Sequence, residues 1–162
     1  MYPSDLGNEQ WSLIKHYFKR PDPRGAVSKH SKRTIVNAIF YVIRSGMQWR
    51  MLPNDFPPWQ TVYNHFYRLQ ARGVWDQVLM DLNKKYRLQA GRHFLPSYGL
   101  IDAQSVKTQY CGEKRGFDGG KKIKGRKRHV CTDSMGNLLY VKVHSAGISD
   151  TIAGCDVAQV QT

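Results

Sequence analysis

The sequence is short of acids: it carries 12 Asp+Glu against 25 Lys+Arg in 162 residues, a formal charge of +13. Only Glu9 and Glu113 are glutamates. That imbalance excludes an ordinary neutral enzyme as the first reading and points to a polyanionic partner. Long apolar runs are also missing. The longest, Ala38 to Ile43, is far below the roughly 18 residues of a membrane span. Met1-Tyr2-Pro3-Ser4-Asp5 has no charged-then-apolar leader pattern, so a soluble, cytoplasmic protein is expected. The cysteines are few and odd in number, Cys111, Cys131 and Cys155, with no C-x-x-C spacing. This argues against a disulfide framework and against a zinc site. Neither an internal repeat nor a low-complexity tract is present. What remains, 41% hydrophobic and 12% aromatic residues, is too rich in core formers for a disordered basic tail.

Apolar periodicity divides the chain. Trp11, Ile14 and Phe18 predict a helix within 7–19, stopped by Pro21-Asp22-Pro23-Arg24-Gly25. Ser31 is placed to cap a second helix in which Ile35, Ala38, Ile39, Val42 and Ile43 share a face, and Gly46 ends it. Val62, Phe66 and Leu69 define a third helix. Gly73 separates it from a fourth carrying Val74, Val78, Leu79, Leu82 and Tyr86. Near Pro96 the pattern changes to strands: Tyr98 to Asp102, Arg126 to Thr132 and Leu138 to Ser145. The turn residues Asp133-Ser-Met-Gly-Asn137 join the last two as an antiparallel hairpin, and a helix is expected over 150–160. The expected class is α+β, with a helical DNA-binding domain over 1–93 and an incomplete sheet domain over 94–162.

Three groups of residues bear on chemistry. The polar face of the third helix offers Gln60, Thr61, Asn64, Arg68 and Arg72. Such side chains bond phosphates and base edges when a helix enters a major groove, and the second and third helices resemble a helix-turn-helix unit. The densest charge lies between Lys114 and His129, where Lys114, Arg115, Lys121, Lys122, Lys124, Arg126, Lys127 and Arg128 face Asp118 alone. Self-repulsion keeps such a run open unless phosphates neutralise it, which makes it a DNA-contacting candidate. Asp102, ending the first strand, is the carboxylate best placed for a hard divalent ion. Asp150 is a second candidate, competing with a role as helix cap. Asp133 reads as a turn residue, and His129 and His144 as packed or exposed rather than as ligands.

Ile101-Asp-Ala-Gln-Ser-Val-Lys-Thr108, Gly116-Phe-Asp-Gly-Gly-Lys-Lys-Ile-Lys-Gly-Arg-Lys-Arg-His-Val130 and Thr132-Asp-Ser-Met-Gly136 resemble the insertion-sequence transposases of family five. Leu6-Gly-Asn-Glu-Gln-Trp11, Arg44 to Pro53 and Phe56 to Tyr63 resemble the helical domain that precedes the catalytic domain in that family. The resemblance covers nearly the whole chain. It implies a ribonuclease-H-like mixed sheet and a DDE centre, in which three carboxylates hold Mg²⁺ or Mn²⁺ for strand cleavage and transfer. Asp102 matches the first carboxylate. The motifs of the second and third are absent, which predicts a truncated or first-frame product whose first strand is an open edge. The partners implied are terminal inverted repeats, target DNA, and another copy of the chain or a second-frame polypeptide. The alternative is a non-catalytic DNA-binding regulator of transposition. A third reading, an RNA-binding module, has only Tyr140 in its favour.

Overall fold

The computed structural model describes residues 2–19, 29–109 and 115–153. Its chain order is α1 (Asn8–Ile14), α2 (Lys32–Ser45), α3 (Trp59–Ala71), α4 (Val74–Gln89), β1 (Leu100–Lys107), β2 (Gly116–Asp118), β3 (Ile123–Thr132) and β4 (Leu138–Ser145). The architecture is α+β, helices followed by a four-stranded antiparallel sheet. The chain divides into two compact units, Met1–Val78 and Leu79–Thr162.

In the first unit, α1 passes into a 3₁₀ turn over Lys15–Phe18, so the predicted single helix changes pitch. Ser31 caps α2 through its side chain, which accepts from the Thr34 N–H at 3.0 Å. Gly46 ends α2 at φ 68, where a side chain would be strained. The core gathers Ile14, Phe18, Ile35, Val36, Ala38, Ile39, Val42, Leu52, Val62, Leu69, Val74 and Val78, ringed by Trp11, Trp49, Trp59, Phe66 and Trp75. Ile43, expected inside, is 60% exposed, while Val36 is buried. Val36 and Ile43 lie two turns apart on the same edge of the apolar stripe, and only its Val36 end is covered. Gly46 to Pro58, including a 3₁₀ turn over Trp49–Met51, joins α2 to α3. That connection is longer than the three- to four-residue turn of a helix-turn-helix.

In the second unit β3 is the centre of the sheet and pairs antiparallel with β1, β2 and β4. β1 runs five residues beyond Asp102, through a polar stretch that carries no strand signal of its own. It is strand because it pairs with β3 from Leu100↔Thr132 to Lys107↔Gly125. β2 was not expected. Its turn, Asp118-Gly-Gly-Lys121, is fixed by the Asp118 carboxylate, which accepts from the Gly120 and Lys121 N–H groups at 3.1 Å each. Gly125 sits where β1 crowds β3, and a Cβ there would collide with the Val106 carbonyl. Asp150 to Ala153 form one helical turn. The rest of the predicted 150–160 helix, together with Pro21 to Gly25, Cys111, Glu113, Lys114 and Cys155, lies outside the described residues.

Candidate nucleic-acid interface

Strand alternation assigns each side chain of β1 and β3 to one of two faces. One face carries Asp102, Gln104 and Val106 on β1, opposite Val130, Arg128 and Arg126 on β3, with Val141 and Val143 beyond them on β4. Asp102 is the third residue of β1, not its last, and is exposed. One of its oxygens accepts from the Ala103 N–H at 2.8 Å. Lys124, Arg126 and Arg128 alternate along β3 and are all exposed. The Arg128 guanidinium donates to the Gln104 side-chain oxygen. Within the second unit no described element buries this face, and Val141 and Val143 stay 39% and 49% exposed on it.

The other face is covered over the middle of β3 and leaves Ile101 of β1 exposed. It buries Lys127, His129 and Cys131 from β3, His144 from β4, and Asp118. The Lys127 ammonium lies 2.9 Å from Asp150 and 3.3 Å from Asp118, and also donates to the Ile148 carbonyl. Its hydrogen bond to Asp150 raises the Lys127 pKa above its ordinary value, against the opposing effect of burial. The Asp118 carboxyl is held below the usual range, first by the Ser105 hydroxyl and then by the Lys121 N–H. Asp150 is lowered by Lys127.

The two histidines form a directed chain. The Ser145 carbonyl can only accept, so His144 Nδ1, 2.8 Å away, carries hydrogen. In a neutral pair His144 Nε2 then accepts from His129 Nδ1 at 2.8 Å. This leaves the buried His129 Nε2 as a lone pair without a hydrogen-bond donor, 3.6 Å from the Asp150 carboxylate. Burial, then His144, lower the His129 pKa.

Asp150 therefore shares a site with Lys127 and His129, on the face opposite Asp102. The helical turn that Asp150 enters is instead capped by Ser149, whose hydroxyl accepts from the Ile152 N–H at 3.4 Å. Asp133 begins the hairpin turn and is fully buried. It accepts from the Met135 and Asn137 N–H groups at 2.9 Å each and from the Asn137 side chain at 3.0 Å. Its partner is Arg87 of α4, itself buried, which also donates to the His93 carbonyl at 2.9 Å. Burial opposes ionisation of Asp133, yet the bonds from Asn137, Arg87 and the turn N–H groups together hold its pKa at about 2. Val74 and Val78 are buried as expected, but farther along α4 the expected face is lost: Arg87 is buried while Leu82 and Tyr86 are 36% and 53% exposed.

Of the remaining candidates, Lys121 donates to the Ala103 carbonyl at 2.8 Å and Arg115 to the Thr108 carbonyl at 2.8 Å. Lys122 occupies the left-handed region at φ 53. On α3, Gln60, Asn64 and Arg68 are exposed and fall on one i, i+4 row that exposed Arg72, at the helix C-cap, continues, with Thr61 half-buried. Tyr63 and Tyr67, not among the contact residues expected from sequence, are exposed beside that row at 41% and 63%. Phe66, between them, supplied the core signal, and the exposed rings have no periodic mark of their own.

Among the described residues no helix is long and apolar enough to cross a membrane. No solved structure matches the chain. It is 28% identical over 117 residues to an insertion element IS402 uncharacterized 16.2 kDa protein of Burkholderia cepacia, covering 68% of this chain and 78% of that one. It is 27% identical over 121 residues to uncharacterized protein y4sN of Sinorhizobium fredii (strain NBRC 101917 / NGR234), covering 72% of this chain and 87% of that one. Residues 6–79 match a family described as "Putative transposase of IS4/5 family", and residues 93–159 match a transposase DDE domain. With a helical segment and the start of a DDE sheet matched in succession, the chain belongs to the IS4/5 transposases of insertion elements.

Proposed function

We propose that this transposase polypeptide binds the terminal inverted repeats of its element and target DNA as duplexes, and that Asp102 is one carboxylate of a DDE centre. The observation that carries the reading is the exposed Asp102 on an open sheet face beside Lys124, Arg126 and Arg128, within the stretch matched to a DDE domain. The exposed row Gln60, Asn64 and Arg68 on α3, continued by Arg72 at its C-cap, supports base and phosphate contact by the helical unit.

A DDE domain implies divalent metal, Mg²⁺ or Mn²⁺. The described residues do not by themselves fit such an ion: among them no group of three His, Cys, Asp or Glu stands close enough to hold one. Asp118 and Asp150 are engaged by Lys127, and Asp133 by Arg87. The further carboxylates of the centre come from residues outside this set, on a second polypeptide or on more of the same chain. That same lack favours the second reading, a regulator that occupies terminal repeats without cleaving them.

Binding to a terminal-repeat duplex and a scrambled duplex, with nicking followed in Mg²⁺, tests both. Preference for the terminal repeat of about tenfold or more is expected, and equal affinity would contradict end recognition. Cleavage that Asp102→Asn abolishes supports the catalytic reading. Binding without nicking by any assembly containing the chain supports the regulator.

A further inference from the structure

The basic run from Lys121 to Arg128 is continuous in sequence but split by the fold. Lys127 is drawn inward, 4% exposed, to hold Asp118 and Asp150 together. Lys124, Arg126 and Arg128 are turned outward to the face of Asp102. Alternate residues of a strand are roughly 7 Å apart, so the three cations form a straight row. The row continues through Val130 and ends beside Asp102, the register partner of Val130. Gln104 steadies the guanidinium of Arg128. Val141 and Val143 on the β4 side supply an apolar floor, beside which cations attract phosphate more strongly than in bulk water.

We infer that this face is a phosphate track: a DNA backbone lies along β3, held by Lys124, Arg126 and Arg128, and is led to Asp102, while Lys127 is an internal strut that touches no DNA. The inference rests on the DNA-binding reading above and specifies where on the sheet it occurs. Charge complementarity commits the face to nucleic-acid backbone.

Two measurements on the full chain test it. In the first, binding of a terminal-repeat duplex is titrated with salt for wild type and for Lys124→Gln/Arg126→Gln/Arg128→Gln, whose changes are confined to exposed positions. The slope of log K against log salt is expected to lose about two to three units in the variant, near 0.9 per phosphate released. An unchanged slope overturns the track. In the second, a photo-crosslinking amino acid replaces Val143, on the track face, or Ile101, on the opposite face and similarly exposed. Crosslinks to DNA are expected from position 143 and not from 101. Crosslinks from 101 alone overturn the inference while leaving DNA binding intact. Failure of the wild-type chain to bind any duplex overturns the DNA-binding reading itself.

Discussion

Arg87 and Asp133 show what one residue can decide. A buried carboxylate without its cation is left as an uncompensated charge, so Arg87→Met should destabilise the fold by about 3–5 kcal/mol, read from the midpoint of urea unfolding. A loss under about 1 kcal/mol would mean that the turn N–H groups suffice. Because the Asp133 pKa is about 2 in the fold and near 3.9 unfolded, its contribution is complete above about pH 4. It is lost as pH falls through about 2. His129 behaves differently: its folded pKa lies below the ordinary value of 6.5 because burial disfavours the cation. The unfolded chain therefore binds the proton first. Stability should be level above about pH 6.5 and decline below it, as long as His129 stays neutral in the fold. Unfolding of wild type and His129→Gln between about pH 5 and 8 checks this, with the decline smaller in the variant. Equal declines would place the proton elsewhere. The sequence made Asp133 legible as a turn residue. It did not reveal Arg87, because helical period counts apolar side chains and gives no weight to an arginine that finds a buried acid.

Elements were legible where their ends are chemically marked. Ser31 and Gly46 bound α2 as expected, and Ser31→Ala should cost about 1 kcal/mol of stability, seen as a lower thermal midpoint. Losing nothing would mean that the cap is replaced by water. β4 and the hairpin turn lie where strand and turn chemistry predicted them. The extension of β1 past Asp102 was not legible, since Ala103 to Lys107 become strand through pairing with β3 rather than through side-chain preference. Gly125 is the device that lets that pairing occur. Gly125→Ala should displace β1 at its Lys107 end and destabilise by about 1–3 kcal/mol, with faster amide hydrogen exchange at Val106 and Lys107. Exchange as slow as in wild type would show that β1 accommodates the methyl group.

At the scale of the whole molecule, the net charge of +13 announced a polyanion but could not say which cations meet it. Sequence proximity put Lys127 with its neighbours, whereas strand alternation puts it on the other side of the sheet, among Asp118, His129 and Asp150. The same alternation separates Asp150 from Asp102, two carboxylates that sequence reading could bring together only by conjecture. Asp102 itself, exposed and without a cation partner among the ion pairs of the described residues, carries little folding energy. Asp102→Asn should leave the unfolding midpoint and the affinity for DNA within about twofold of wild type while removing any Asp102-dependent nicking. The central claim, that an insertion-element transposase chain engages DNA through exposed cations on its surface, is tested most directly by the salt dependence of wild-type binding to a duplex. The account predicts that log K falls linearly with log salt at a slope of about −4 or steeper, the release expected from four or more phosphate contacts. A slope near zero would contradict it.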